Sequence, residues 1–225
     1  LGSQFEITID SLSYNGGRGV GRHEGIVVFV PWTAPGDRVR VRVVENKGAF
    51  LVAELDEILE DSKYRRSPPC PVFGKCGGCS WQHVEYAEQV AQKQSILKFS
   101  LKKLGEFEFR PFLASPKEFA YRNRVQLHKE GDKIGFFERA SRKIVNIPGC
   151  PIAESDLSEK IPGLRDEEDG RYEISRRTDN TIGVEKGRRD PEASLFSQVT
   201  SLQKAQLIQA VLDWAGETSF EKVWD

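Results

Sequence analysis

The sequence predicts a mainly β fold with some α-helix, in the α+β class, that begins with a small closed barrel. Three observations support this. Short runs alternate apolar and polar side chains from the first residues onward, turns rich in glycine and proline separate these runs, and only two long segments have helical periodicity. The 225 residues allow one large domain or two to three small ones.

The first 60 residues contain about five strand segments by this alternation. Apolar and polar residues alternate over 5–9, an apolar run covers 26–30, arginine alternates with valine over 38–44, and 49–59 completes the set. Five strands in so short a segment predict a closed barrel, because closure leaves no exposed strand edge.

The glycine-rich turn that precedes the apolar run 26–30 has two interpretations. A phosphate-binding loop needs a helix directly after its glycines, so that the helix amides face the phosphate. A β-branched strand follows here instead, which disfavours that interpretation. We expect Gly17, Gly19 and Gly21 to adopt positive φ in a hairpin turn whose tip displays Arg18 and Arg22.

The remaining chain predicts one helix, a group of strands and a last helix. A basic linker with two prolines covers 61–69, and helical periodicity over 84–104 places an apolar stripe on one face, formed by Val90, Leu97, Leu101 and Leu104. The last helix starts near Ser201 and stops at Gly216. Strands are expected in segments 121–128, 134–137, 143–147, 171–175, 181–185 and 220–225.

Charge is distributed unevenly although the net charge is only −1. Residues 1–60 carry 6 basic and 9 acidic side chains, residues 61–143 carry 17 and 9, and residues 144–225 carry 10 and 16. The middle segment is therefore at +8 between flanks of −3 and −6. A positive middle favours a polyanion partner, although charge alone leaves open that these side chains only solvate the surface.

The sequence favours a soluble, cytoplasmic protein. No apolar run approaches the roughly 20 residues of a membrane span, and the first residues do not resemble a signal peptide. The chain starts Leu-Gly-Ser and contains no Met, so we expect its native start to be missing or trimmed.

Four cysteines carry the most specific signal. Cys70, Cys76 and Cys79 have five and then two residues between them, and Cys150 lies far along the chain. Disulfides are disfavoured without a secretory segment, in a chain large enough to hold its own core. Tetrahedral zinc usually has two short-spaced pairs, whereas three clustered cysteines and a remote one are commoner for a four-iron cluster. Spacing favours iron–sulfur over zinc and leaves both open.

The segment Pro68–His83, followed by Tyr86 and Gln89, resembles the cluster segment of the iron–sulfur RNA uracil-C5 methyltransferases that act on 23S ribosomal RNA. Six further stretches resemble parts of the same family in the same order. The OB-like TRAM barrel of the family, an RNA-binding module, is resembled by segments 17–25 and 28–31. Its central domain is resembled by segments 121–124, 134–137 and 147–152. The entry to its methyltransferase domain is resembled by segment 196–199.

This resemblance implies domains, cofactors and site residues. It implies a TRAM barrel over 1–60, a central cluster-binding domain over 61–193, and the start of a truncated S-adenosylmethionine-binding domain over 194–225. Cys70, Cys76, Cys79 and Cys150 would ligate a [4Fe–4S] cluster, Gln198 would contact S-adenosylmethionine, and Phe196 would lie near the target base or serve as a core aromatic. No catalytic residue is expected within these residues, because the family's nucleophilic Cys and general base lie further on.

The expected partner is 23S ribosomal RNA, bound by a monomer. Candidate phosphate contacts are Arg18, Arg22, Arg122, Arg124, Arg139 and Lys143, each of which could instead be ordinary surface charge. A rival interpretation from another class is a non-catalytic RNA-binding module with a four-cysteine zinc site.

Overall fold

The computed structural model describes residues 2–14, 16–177, 179–187 and 200–216. The chain divides into two compact units, Leu1–Phe112 and Leu113–Asp225. The expected segment 220–225, together with Phe196 and Gln198, lies outside the described residues. Within those residues, no helix is long and apolar enough to cross a membrane.

Five strands form a closed barrel in the first unit. They are β1 (Gln4–Leu12), β2 (Gly19–His23), β3 (Ile26–Val30), β4 (Arg38–Asn46) and β5 (Phe50–Glu60). Their order around the barrel is β1-β2-β3-β5-β4, with β3 and β5 parallel and every other pair antiparallel. The barrel predicted from the alternating pattern is confirmed.

The barrel core contains the inward-facing residues of the alternating segments. Ile9, Val28 and Val41 are almost fully buried in it, because side chains two residues apart in a strand point to the same face. The full buried cluster consists of Ile7, Ile9, Val28, Val30, Val39, Val41, Val43, Leu51 and Ala53.

The expected hairpin tip differs from the structure. Gly19 and Gly21 lie inside β2 and are extended, whereas Gly17 has a φ of +64°. A Cβ on Gly19 would lie 1.9 Å from the Oγ1 atom of Thr33, and one on Gly21 would lie 2.6 Å from the backbone oxygen of Thr8. These two glycines are therefore required by close packing inside the barrel rather than by a turn.

The outer face of β4 carries a ladder of arginines paired with carboxylates. Glu6 accepts hydrogen bonds from Arg38 at 2.9 Å and from Arg40 at 3.2 Å, and Asp56 accepts one from Arg42 at 2.9 Å. This ladder pairs each arginine of β4 with carboxylates of the neighbouring strands, which compensate its charge locally.

One long helix follows the barrel in the first unit. Helix α1 covers Tyr86–Leu101, continues as a 3-10 turn over Lys102–Leu104, and ends at Gly105, whose φ is +125°. The predicted helix is confirmed, but its apolar stripe is not buried: α1 contains no buried residue, and Leu104 is 73% exposed.

The second unit contains a five-stranded antiparallel sheet with order β10-β9-β6-β7-β8. The described part of this unit also contains α2 (Ser155–Ser158) and α3 (Ser201–Gly216), together with a 3-10 turn over Pro162–Asp166. The strands are β6 (Arg124–Glu130), β7 (Lys133–Phe137), β8 (Ile144–Asn146), β9 (Gly170–Arg176) and β10 (Ile182–Lys186).

One face of this sheet is apolar and the other is polar. Val125, Leu127 and Ile174 point to the buried face. Gln126 and Arg171 point to the opposite face, where an Arg171 N–H donates to the Gln126 side-chain oxygen. This alternation places Arg124 of β6 and Arg171 of β9 on the polar face. Arg176, at the end of β9, falls on the face of Ile174 and pairs with Glu154 and Asp156.

Candidate cysteine cluster and nucleic-acid interface

Three of the cysteines lie in one turn-rich loop of the first unit. The Phe73 amide donates to the Cys70 carbonyl at 3.1 Å, and the Cys76 amide donates to the Val72 carbonyl at 2.9 Å. Gly74 has a φ of +87°, in the left-handed region that favours glycine. Successive turns therefore fold this segment back on itself.

The three thiols lie within electrostatic reach of one another. Cys76 is buried, and the Gly78 amide donates to its Sγ atom at 3.4 Å. Burial raises the pKa of the Cys76 thiol, the Gly78 amide opposes that rise, and negative charge on Cys79 and Cys70 adds to it. Negative charge on neighbouring thiolates is mutually repulsive, and a bound cation would relieve such repulsion.

Cys150 lies in the second unit, in the loop after β8. It is buried, and its amide donates to the Ser158 hydroxyl at 2.8 Å. A Cβ on the preceding Gly149 would lie 2.8 Å from that same hydroxyl oxygen. Gly149 therefore allows the close approach that holds the backbone of Cys150.

All four cysteines are present as thiols. Over the described ranges 2–14, 16–177, 179–187 and 200–216, no three His, Cys, Asp or Glu side chains are placed to hold a metal ion. Soft thiolate donors and a loop amide directed at sulfur fit the chemistry of an iron–sulfur or zinc centre. Convergence of the four cysteines on one centre stays a prediction.

Aromatic side chains attach the cysteine loop to the barrel. The Phe73 ring lies between Trp32, at 5.2 Å between centroids, and His83, at 5.4 Å. Burial lowers the pKa of His83, so its ring is neutral near neutral pH. The Nε2 atom lies 3.1 Å from the Thr33 carbonyl oxygen, which fits an Nε2–H donor. The loop is thus fixed to the turn between β3 and β4.

A buried carboxylate attaches the linker to the same turn. Asp37 is fully buried and accepts hydrogen bonds from the Ala34 amide at 2.6 Å and the Ser62 amide at 2.9 Å. The Arg65 guanidinium donates to both oxygens of this carboxylate. Arg65 of the basic linker is therefore paired with a buried carboxylate inside the fold.

The loop between β1 and β2 contacts the segment that follows the cysteines. The Trp81 Nε1–H donates to the Gly17 carbonyl at 3.0 Å. Arg18 is half-buried at the base of this loop. Arg22 is exposed within β2 rather than at the tip, and donates to the Gly25 carbonyl at 3.3 Å. The two arginines expected at one tip thus occupy different elements.

Two of the expected arginines lie at the start of β6 and are half-buried. Arg122 forms a bridge with Ala153, and its Nε atom is buried with no hydrogen-bond partner among the described residues. The Arg124 Nε atom lies 4.0 Å from a carboxylate oxygen of the buried Glu173. The charge of Arg124 is therefore partly compensated within the sheet.

The turn between β7 and β8 brings the other two expected cations together. Arg139 is half-buried and Lys143 is exposed. The Glu138 amide donates to the Lys143 carbonyl at 2.8 Å, which closes the turn. Arg142, a residue that sequence reasoning missed, is exposed in the same turn. The position of Arg142 in the sequence, between the expected phosphate contacts Arg139 and Lys143, is the signal that could have indicated it.

Comparison with known proteins supports the first part of this architecture. Residues 1–55 match the family model described as the TRAM domain. The barrel is therefore a TRAM domain, as the resemblance implied.

The whole chain is related to RNA methyltransferases. It is 36% identical to an uncharacterized RNA methyltransferase of Bdellovibrio bacteriovorus, over 100% of this chain and 60% of that protein. It is 38% identical to the 23S rRNA (uracil(1939)-C(5))-methyltransferase RlmD of Acidithiobacillus ferrooxidans, over 71% of this chain and 38% of that protein. The predicted relationship to RNA methyltransferases is thereby confirmed, and the chain spans about half the length of these two relatives.

A solved structure shares the fold. The tRNA (uracil-54, C5)-methyltransferase of Pyrococcus abyssi, in complex with S-adenosyl-L-homocysteine, superposes with a TM-score of 0.66 at 23% identity. The match covers 92% of this chain and 64% of that one.

Proposed function

We propose that this chain is the RNA-recognition part of an S-adenosylmethionine-dependent uracil-C5 methyltransferase that acts on 23S ribosomal RNA. The observation that carries the proposal is similarity to a named RNA methyltransferase over 100% of the chain. A relative named as a 23S rRNA uracil-C5 methyltransferase supports the substrate. A neighbour of the same fold in complex with S-adenosyl-L-homocysteine supports the methyl donor.

The proposed domains are the TRAM barrel over 1–60, a central domain over 61–193, and the start of the donor-binding domain over 194–225. In this division Gln198 contacts S-adenosylmethionine and Phe196 lies near the target base. The protein acts in the cytoplasm as a monomer.

The proposed metal centre is a [4Fe–4S] cluster held by Cys70, Cys76, Cys79 and Cys150. The electrostatic influence of Cys79 and Cys70 on Cys76, and the Gly78 amide that donates to its sulfur, support it. Such a cluster, when bound, supplies a rigid cross-link among its ligands. The competing centre is one zinc ion on the same four thiolates.

RNA contact is proposed for exposed cations without a carboxylate partner. Arg22, Arg142 and Lys143 are exposed and form no ion pair within the part of the chain that the structure describes. Each such side chain can neutralise one phosphate and release its condensed counterion. Half-buried Arg18, Arg122, Arg124 and Arg139 are proposed to add contacts at the edges of this surface.

The proposed reaction requires a thiolate beyond the four cysteines assigned to metal. In the related family, a Cys thiolate adds to C6 of uracil, C5 then takes the methyl group, and a base removes the C5 proton to release the enzyme. The target uridine must be unstacked to reach the site. All four cysteines of this chain are proposed metal ligands, so we propose that none of them attacks uracil.

Methyl transfer can be measured as tritium released from 5-tritiated uridine in ribosomal RNA. We expect no release by the 225-residue chain with S-adenosylmethionine, and release by a longer protein of the relatives' length that contains it. Gln198→Ala in the longer protein is expected to weaken use of the donor. Turnover by the 225-residue chain would contradict this division of roles, whereas a folded but silent longer protein would favour the non-catalytic zinc module.

A further inference from the structure

We propose that Tyr14 is a base-stacking residue that takes one unpaired RNA base on the loop between β1 and β2. The inference rests on the proposed function, since it names the RNA feature that the barrel recognises. It differs from the phosphate contacts above because an aromatic ring reads an exposed base face rather than a charge.

Exposure is the first observation behind this assignment. Tyr14 is 86% exposed, more than any other large hydrophobic side chain in the described part of the chain. Leaving an aromatic ring in water forgoes the gain from burying it. Proteins that bind single-stranded RNA present such rings as platforms on which unpaired bases stack.

The stem of the loop is held by paired hydrogen bonds. The Ser13 amide donates to the Arg18 carbonyl at 2.7 Å, and the Arg18 amide donates to the Ser13 hydroxyl at 3.1 Å. The Leu12 amide donates to the Gln92 side-chain oxygen of α1 at 2.9 Å. A stem fixed in this way loses little conformational entropy when a ligand binds.

Trp81 holds the other side of the loop. Besides its hydrogen bond to the Gly17 carbonyl, its Nε1 atom occupies the space next to Gly17, where an added Cβ would lie 2.2 Å away. The Trp81 ring packs against the small cluster of Leu12, Ala34 and Val84. Tyr14 is therefore presented to solvent by a loop that is packed from beneath.

Basic residues lie on the elements that support Tyr14. Arg18 lies in the same loop, and the Lys93 ammonium lies 5.9 Å from the centroid of the Trp81 ring, which contacts that loop. Basic residues on the same elements as an exposed aromatic suit a nucleotide ligand, whose base stacks while its phosphate is neutralised. The ligand class is thus a single-stranded RNA segment with at least one unstacked base.

The test is a fluorescence titration of the whole chain with a short single-stranded RNA that contains 2-aminopurine. Stacking on Tyr14 is expected to change the 2-aminopurine emission of the wild-type complex. Tyr14→Ala is expected to abolish that change and to weaken binding about tenfold, a typical cost of losing one base–aromatic stack. Because Tyr14 is so exposed, the thermal unfolding of this variant should match that of wild type.

Two matched variants separate stacking from other effects. Tyr14→Phe keeps the ring and should bind within about twofold of wild type, whereas Tyr14→Leu keeps apolar bulk without a π face and should behave like Tyr14→Ala. Phe99→Ala removes another ring, which is 80% exposed on α1, and should leave binding unchanged.

The outcomes distinguish this inference from the proposed function. Wild-type affinity and emission in Tyr14→Ala would overturn the stacking role while leaving RNA recognition intact. Equal weakening by Tyr14→Ala and Phe99→Ala would also overturn it. Absence of RNA binding by the wild-type chain would overturn both.

Discussion

Serine in place of Cys76 is expected to abolish the iron–sulfur absorbance of the anaerobically isolated protein. Wild type is expected to be brown, with about four irons and matching sulfide per chain. The loss is large because Cys76 is the buried member of the loop, and its sulfur already accepts the Gly78 amide. Cys150→Ser should bleach the protein in the same way if the second unit supplies the fourth ligand.

The control for this experiment is a change in the same loop that removes no sulfur. Lys75 is exposed beside Cys76, so Lys75→Ala should keep the iron content and colour of wild type. Iron and zinc analysis of all the proteins decides the identity of the metal. Colourless wild-type protein with one stoichiometric zinc would replace the cluster with the zinc site, and iron retained in Cys76→Ser would remove Cys76 from the ligand set.

Alanine in place of Asp37 is expected to lower the free energy of unfolding by about 3–5 kcal/mol, because a buried charge partner is removed. The Asp37 carboxylate is fully buried, and its loss leaves the Ala34 and Ser62 amides without their acceptor. The Arg65 guanidinium loses its buried carboxylate partner and keeps only the Trp32 carbonyl and the exposed Asp61. Denaturant unfolding measures the global effect. Amide hydrogen exchange at Ala34 and Ser62 should accelerate locally.

A carboxylate of the surface ladder gives the matched control. Glu57 pairs with Arg40 on the outer face of the barrel, where both side chains are about half exposed. Glu57→Ala should change stability little, since exposed ion pairs are weak. A comparable loss in Glu57→Ala, or an unaffected Asp37→Ala, would show that burial of Asp37 is not what stabilises the junction.

The strands could be predicted from sequence because their signal is local. Alternation at period two depends only on which residues face the core, so β3 and β4 were found within one or two residues of their bounds. The glycines inside β2 were wrongly assigned to a turn. Their role depends on tertiary neighbours, which the sequence does not reveal. Only the folded barrel shows that Thr33 Oγ1 and the Thr8 carbonyl fill the space of a side chain.

Charged residues were harder to assign, because partners distant in sequence decide what a cation does. Arg65 and Arg124 belong to the same positive segment, yet Asp37 binds the first and Glu173 lies near the second. The ladder on β4 likewise depends on strand register, which pairs Arg40 with Glu6 and Glu57. Arg142 and Tyr14 were missed because exposure cannot be read from a loop sequence.

The apolar stripe of α1 illustrates a different difficulty. Helical periodicity predicted the helix correctly, because apolar side chains at this spacing lie on one face of a helix. Such a face normally stabilises the helix by packing against another element of the protein. The same pattern does not identify what the stripe packs on, and in the structure α1 has no buried residue.

The central claim, that this chain recognises RNA, is tested most directly by the salt dependence of its binding to structured ribosomal RNA. Affinity is expected to fall steeply with salt, because each phosphate contact releases condensed counterion. Arg142→Ala combined with Lys143→Ala should weaken binding and reduce the slope of log K against log salt by about one to two. Arg38→Ala combined with Arg40→Ala removes the same formal charge from carboxylate-paired residues and should leave the slope unchanged. A wild-type chain that binds no RNA at low salt would contradict the account, as would equal slopes for wild type and both double variants.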